Sequence, residues 1–254
     1  VKGVLSDYQS EITKFDNPTG SLNSYYKGYK MGQMWGYTSH GLFQSDEEAA
    51  KANQSFLSGS KWSAGDVKFE DLDNNGKIDN GDNTVSNPGD MRIIGNSTPR
   101  YQFGITAGFD WKGIDFEMFW QGVAKRDVFP GGAQFWGFTD EWCTPQTTAT
   151  DYWTKDNPNA YLPKLHHYSV GGANRTTSTR YMQNAAYMRL KNVTLGYTIP
   201  KSITEKWYIS RLRLFVQAEN MITFTKIKWS DPETLNNMTY PLNKKISVGV
   251  NVTL

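Results

Sequence analysis

Tyr101-Gln102-Phe103-Gly104-Ile105-Thr106-Ala107-Gly108-Phe109-Asp110, then Trp111-Lys112-Gly113, then Ile114-Asp115-Phe116-Glu117-Met118-Phe119-Trp120-Gln121-Gly122-Val123: the two long arms share one periodicity. Alternate residues are apolar and those between are mostly small or polar, the pattern of a strand with one apolar and one wet face. The triplet Trp111–Gly113 turns the chain back on itself. Each arm has ten residues, and ten at ~3.3 Å rise, tilted ~45°, span about 23 Å. That height matches the apolar band of an outer-membrane barrel, roughly 25 Å tall. Tyr101, Phe109, Trp111 and Trp120 lie toward the arm ends, where interfacial aromatic girdles sit.

Outward from this hairpin the same period recurs. Ile246, Val248, Val250, Val252 and Leu254 alternate with small or polar residues. A strand from Arg211 to Thr223 puts Leu212, Leu214, Val216 and Ala218 on one face and Arg213, Phe215, Gln217 and Glu219 on the other. Another runs from Tyr187 to Thr198; its alternation slips near Asn192, which predicts a β-bulge. A segment at Tyr25–Tyr37 makes about six strands. Period two alone is also what a soluble sandwich would show. The connections separate the two: Trp111–Gly113 is very short and Pro200–Ser210 moderate, whereas Ala124–Ala186, Lys226–Lys244 and the region before Tyr101 are long. Counting back from a periplasmic C-terminus places every long segment outside and both short ones inside, the outer-membrane arrangement.

Composition narrows the function classes. Lys and Arg number 27 against 25 Asp and Glu, so there is no basic excess of the kind a nucleic-acid surface needs. One cysteine, Cys143, excludes an internal disulfide and a cysteine-rich metal centre. No apolar run approaches the ~18–20 residues of a membrane helix, which leaves barrel strands untouched. About six strands cannot close a barrel, since bacterial barrels start at about eight. An open edge in lipid would strand roughly ten backbone groups at several kcal/mol each, far beyond the stability of a domain. The strands are therefore expected to pair with others of a longer polypeptide, and the opening at Val1, with no initiator Met or signal peptide, reads as a cut from something longer.

Asp71-Leu72-Asp73-Asn74-Asn75-Gly76-Lys77-Ile78-Asp79-Asn80-Gly81-Asp82 fits the calcium-loop template. Oxygen ligands fall at positions one, three, five, nine and twelve, Gly76 sits at the sharp turn of position six, and Lys77 offers its carbonyl at seven. The predicted ligand set is Asp71, Asp73, Asn75, Lys77, Asp79 and Asp82, holding a structural Ca²⁺. Asp82 replaces the usual bidentate Glu, which implies weak binding or tolerance of Mg²⁺. The alternative is an Asx-rich turn without metal.

Several ordered segments together resemble transporters of the SusC/RagA family: Met31-Gly32-Gln33-Met34-Trp35-Gly36-Tyr37, then Gly65-Asp66-Val67-Lys68-Phe69-Glu70-Asp71 entering the Asp/Asn loop, then Ile93-Ile94-Gly95-Asn96 and Pro99-Arg100-Tyr101. Phe119–Val123, Tyr187–Tyr197 and Ala218-Glu219-Asn220 continue the match, which runs from about residue 28 to 254. The resemblance implies the C-terminal strands of an antiparallel transmembrane β-barrel of about 22 strands with long extracellular loops. Residues 38–100, with the calcium-type motif, and 124–186 would be extracellular loops. The plug and TonB box would lie outside residues 1–254. The resemblance further implies TonB-dependent import of an oligosaccharide or peptide across the outer membrane of a Gram-negative, Bacteroidetes-like cell. Implied partners are TonB, outer-membrane lipid and a SusD-like surface lipoprotein, with a dimer of the transporter–lipoprotein pair admitted. Two departures stand out: such barrels usually end in an aromatic, not Leu254, and Thr84–Met91 looks like an insertion after the metal loop.

Other residues attract hypotheses. Trp136, Trp142 and Trp153 in the longest loop are candidates for substrate or lid contact, against the plainer reading of loop packing; Trp35 and Trp62 are weighed the same way. His166 and His167 are adjacent on extended chain and point to opposite faces, so they are ill placed to share an ion. Asp115, Glu117 and Glu219 fall on polar strand faces as lumen-lining or plug-contacting groups, and no pair of carboxylates is set out for hydrolysis. Asp46, Glu47 and Glu48 open a short helix, where the dipole favours acid. With no nucleophile–base constellation, an enzyme is not expected. The competing class is a secreted, Ca²⁺-stabilised β-sandwich acting in carbohydrate binding or adhesion.

Overall fold

Lys112 and Gly113 both take positive φ, 48° and 86°, the two-residue hairpin geometry whose twist matches the strands it joins. They turn the chain at one end of the main sheet. The computed structural model describes residues 1–254 apart from 58–60, 144–146, 148–149, 168–171, 236–238 and 241. Its strands are β1 (Lys2–Ser6), β2 (Gln33–Tyr37), β3 (Ser39–Leu42), β4 (Val67–Phe69), β5 (Met91–Asn96), β6 (Arg100–Trp111), β7 (Ile114–Lys125), β8 (Asp127–Val128), β9 (Gln183–Asn184), β10 (Tyr187–Thr198), β11 (Arg211–Thr225) and β12 (Lys245–Thr253). Short helices are α1 (Asp46–Lys51), α2 (Ala133–Trp136) and α3 (Lys201–Thr204).

Six strands form one open antiparallel sheet in the order β1-β6-β7-β10-β11-β12, with β1 and β12 at its edges. The other sheets are two-stranded pairs in the connections. The predicted bulge is present: register shifts between Leu190 and Asn192 against both neighbours.

Registers place side chains row by row. Leu5, Phe103 and Gly122 share a face; so do Phe109 with Phe116, Met118 with Val193, Leu195 with Val216, and Leu214 with Val250. Followed across the sheet, that face carries no Asp, Glu, Lys or Arg. The opposite face carries Asp110, Asp115, Glu117, Gln121, Arg189, Thr194, Arg213, Gln217, Glu219 and Asn251. A 12-residue strand at ~3.3 Å per residue and ~45° tilt covers about 28 Å of height.

The buried hydrophobic cluster lies wholly off this sheet. It is built from Tyr37, Phe43, Trp62, Val67, Phe69, Phe135, Trp136, Trp153, Tyr181, Trp229 and their neighbours in the connections. Meanwhile Val216, Phe224, Val248 and Val250 on the uncharged face are exposed. A soluble sandwich buries one face of each sheet against the other; here the core and the sheet's apolar face are in different places. That removes the sandwich reading.

One strand assignment needs correction. Tyr25–Tyr37 is not a strand of the main sheet. Gly28 and Gly32 take φ of 90° and 80°, which bends the chain out of extended geometry, and only Gln33–Tyr37 is a strand, paired with β5. The sixth strand is Lys2–Ser6, too short for its period to show in the sequence.

All long connections leave one end of the sheet, where Ser6, Arg100, Lys125, Tyr187, Thr225 and Lys245 sit. They comprise residues 7–99, 126–186 and 226–244; residues 112–113 and 199–210 close the other end.

Candidate functional site

The connections at the long-loop end form one interlocked assembly. The segment before β6 clasps the one after β7 by backbone pairing: Tyr37 N donates to Thr177 O at 2.9 Å, Thr179 N to Tyr37 O at 3.0 Å, and Lys164 N to Gly65 O at 2.8 Å. Gly65, at φ 88°, must be glycine, because a Cβ there would meet the Trp153 ring at 2.4 Å.

Asp66 is the polar centre of this clasp. It is 3 % exposed. Its carboxylate accepts from Ser63 N at 2.8 Å, Ser63 Oγ at 3.2 Å, His166 Nε2 at 2.5 Å and Asn174 Nδ2 at 2.7 Å. Asn174 Oδ1 in turn accepts from Val67 N at 2.8 Å. Burial raises the Asp66 carboxyl, but the bonds from His166, Asn174 and Ser63 outweigh it and the net shift is downward. His166 is thus a carboxylate partner within the clasp, not half of a histidine pair. Nearby, buried Gln54 donates to Val67 O and accepts from Phe69 N, at 3.1 and 2.8 Å; nothing in its sequence context singles it out.

In the Asp/Asn loop, Asp71 accepts from Asn75 N and Gly76 N at 3.2 and 2.8 Å. Desolvation of Asp71 is overcome by these amides and that of Asn74, so its carboxyl lies below the usual range. Asp73 accepts from Asn75 N and Nδ2, and Asn75 Oδ1 from Lys77 N. Asp71, Asp73 and Asp90 bring carboxylate oxygens within 4.8 Å of one another. Asp90 was not in the predicted set. It is 0 % exposed and accepts from Leu72 N at 2.7 Å and Asp79 N at 2.9 Å. Thr84–Met91 folds back to deliver it, through Gly81 and Gly89 in mutual contact at positive φ. The Pro88-Gly89 turn before Asp90 was the signal available. Asp79 faces elsewhere, paired with Lys77 Nζ at 2.5 Å and Gly81 N at 2.7 Å; the Lys77 bond leads in lowering its carboxyl. Asp82 accepts from Asn87 Nδ2 at 2.8 Å.

The aromatic candidates separate by burial. Trp136 and Trp153 are 8 % and 7 % exposed and pack in the core of the connections, the loop-packing arrangement weighed against ligand contact. Trp142 is 86 % exposed. Trp62 is also buried, its Nε1 donating to Gln54 O at 3.0 Å.

On the sheet's polar face, Asp115 and Arg213 form a two-pronged ion pair across Gly196. A Cβ on Gly196 would lie 2.5 Å from both partners. Further up, the bulge aims Arg189 and Lys191 at one loop: Arg189 Nη2 reaches Asp231 at 2.6 Å and Lys191 reaches Glu233 at 3.0 Å. Arg189 Nη1 is 3.2 Å from Glu233 Oε1, close enough for charge attraction but without hydrogen-bond alignment. The loop after β11 is thereby tied to the polar side at Asp231 and Glu233.

An antiparallel sheet with an uncharged outer face, a polar inner face and its long loops gathered at one end is a stretch of transmembrane β-barrel wall with its mouth. No protein-family model matches the chain. It is 27 % identical over 207 residues to TonB-dependent receptor P3 of Formosa agariphila, covering 82 % of this chain and 19 % of that protein. To TonB-dependent receptor P39 of the same organism it is 25 % identical, covering 89 % and 25 %. Its fold matches the RagAB peptide transporter with a TM-score of 0.61 at 21 % identity, covering 96 % of this chain and 24 % of that one. The RagAB importer in its open-open state gives 0.64 at 20 % identity. The chain's homologues are TonB-dependent receptors, and it spans about a quarter or less of their length.

Proposed function

We propose that the chain is part of an outer-membrane, TonB-dependent importer of oligosaccharides or peptides. The observation that carries this reading is the uncharged outer face, left without a core over it while the loops build their own core at one end. Water offers no reason to keep such a face exposed, and lipid does. The homologues' identity as TonB-dependent receptors supports the same reading, as does the fold likeness to a peptide importer. In this reading the chain does no covalent chemistry: it supplies wall and mouth, while a plug and a TonB-contacting region elsewhere in the polypeptide gate passage. A SusD-like lipoprotein would cover the mouth loops, and two such pairs could associate. Residues 7–99, 126–186 and 226–244 would face the cell exterior.

The Asp/Asn loop would hold a structural Ca²⁺. Three clustered carboxylates are the hard oxygen donors Ca²⁺ takes, with Mg²⁺ as the smaller competitor. Asp71, Asp73 and Asp90 are the strongest ligands in this proposal. Asp79 and Asp82 join only by releasing Lys77 and Asn87. The ion would fix residues 71–90 against the clasp.

The test is uptake by whole cells of the native host. Labelled oligosaccharide or peptide should accumulate only with this protein in the outer membrane and with the inner membrane energised. Recovery of the full-length protein in the detergent-free soluble fraction would overturn the reading.

A further inference from the structure

Above β10 and β11 a cavity of about 520 Å³ opens among the mouth loops, within the size range of small-ligand sites. Its walls are Phe135, Tyr161 and Trp229. Phe135 meets Trp229 with ring centroids 6.0 Å apart and Tyr161 at 6.2 Å, both edge-on. Neither Tyr161 nor Trp229 is among the residues singled out from the sequence. Trp229 belongs to the loop that Arg189 and Lys191 hold to the polar face, so the cavity is anchored on the side a transported solute would pass.

The polar atoms around these rings are largely spent on one another. Gln183 Oε1 accepts from Trp229 Nε1 at 2.8 Å, and Gln183 Nε2 donates to the Tyr161 hydroxyl at 3.2 Å. Asp151, also in the lining, accepts from Asn157 Nδ2 at 3.0 Å and Tyr161 N at 3.2 Å. A sugar ring needs its hydroxyls matched by acceptors as well as donors, whereas Lys226 and Lys228 on this wall offer donors only. What remains uncommitted is charge. Lys226 and Lys228 line the same cavity, are exposed, and form no ion pair among the described residues. Two ammoniums against the one Asp151 carboxylate leave a net positive charge beside an apolar floor.

We propose that this cavity receives the C-terminal residue of a short peptide, its apolar side chain among Phe135, Tyr161 and Trp229 and its carboxylate on Lys226 and Lys228. This narrows the import reading to one substrate class and rests on it only for the ligand's arrival. Binding is tested without transport, on the full-length protein in detergent. The probe is a tetrapeptide ending in phenylalanine, as the free acid and as the C-terminal amide, followed by calorimetry. The acid should bind about tenfold tighter than the amide, as two partly exposed charge pairs allow. In the double variant Lys226→Gln, Lys228→Gln acid and amide should bind alike, and measurable binding of the amide shows that the cavity is intact. Equal binding of acid and amide by the unaltered protein overturns the proposal. So does a galacturonic acid trimer that binds with the same lysine dependence where the peptide does not. The import reading fails separately: peptides that bind this way yet never accumulate in energised cells refute peptide import and leave the site standing.

Discussion

Replacing Asp66 with alanine should release the clasp between the two largest mouth loops while leaving the sheet intact. The carboxylate accepts four hydrogen bonds from three residues, and both it and Asn174 are buried. Hydrogen bonds to a charged group contribute roughly 1.5–3 kcal/mol each, and an orphaned buried donor costs about 1–3 kcal/mol. These terms do not add, and removing a buried charge returns its desolvation penalty, so a net loss of about 3–5 kcal/mol is expected, as for breaking a buried pair. Amide exchange at residues 63–67 and 172–176 should then accelerate by about two orders of magnitude or more, with β10 and β11 as protected internal standards. Asp66→Asn should fall between, because its amide turns one acceptor into a donor facing donors. The pH dependence follows from the lowered Asp66 carboxyl. Its stabilisation is fully present above the unfolded value of about 3.9 and is lost as pH falls through the lower folded value. Protection due to Asp66 should therefore hold across neutral pH and fail only in strong acid. Exchange in Asp66→Ala within threefold of the unaltered protein would show that the clasp rests on packing and that this reasoning is wrong.

Neighbouring residues on β10 should respond oppositely to the same charge. Val193→Arg puts a cation on the uncharged face at a cost of about 2–4 kcal/mol near the bilayer midplane and should lower the heat-modifiable, assembled fraction, whereas Thr194→Arg on the polar face should assemble normally. Gly196→Val should displace the Asp115–Arg213 pair and lose about 1–3 kcal/mol by overpacking; in an Arg213→Ala background the loss should shrink, measured as a double-mutant cycle. For the metal loop, Asp90→Asn should weaken Ca²⁺ binding by about tenfold or more and Asp82→Asn far less, read by calcium titration of proteolytic protection across residues 71–90. Equal effects would restore the ligand set expected from loop spacing.

Strand alternation is local information, and it was legible wherever a strand was long enough to repeat. Phe103 through Phe109 and Leu212 through Ala218 announce their faces without any neighbour, and even the slip at Asn192 showed. Lys2–Ser6 was invisible because five residues carry barely two periods. Tyr25–Tyr37 was read as one strand, but Gly28 and Gly32 turn the chain within it.

The candidate sites divided along the same line. The Asp71–Gly76 turn is written in contiguous residues, so its shape was readable. Asp90 reaches it across a fold-back of the chain, and a spacing rule counts only along the chain. Trp136 and Trp142 look alike in sequence, yet one is core and the other exposed, because burial depends on which distant segment packs above. The same holds for Asp66 with His166 and Asn174, and for the cavity joining Tyr161, Gln183 and Trp229. By itself the sequence determined what each residue does within its own few ångströms of chain: strand faces, tight turns and the acidic loop. Which of those pieces meet, and hence where the core, the clasp and the cavity lie, depends on contacts between residues as far as 140 positions apart. Those are fixed only when the loops fold together.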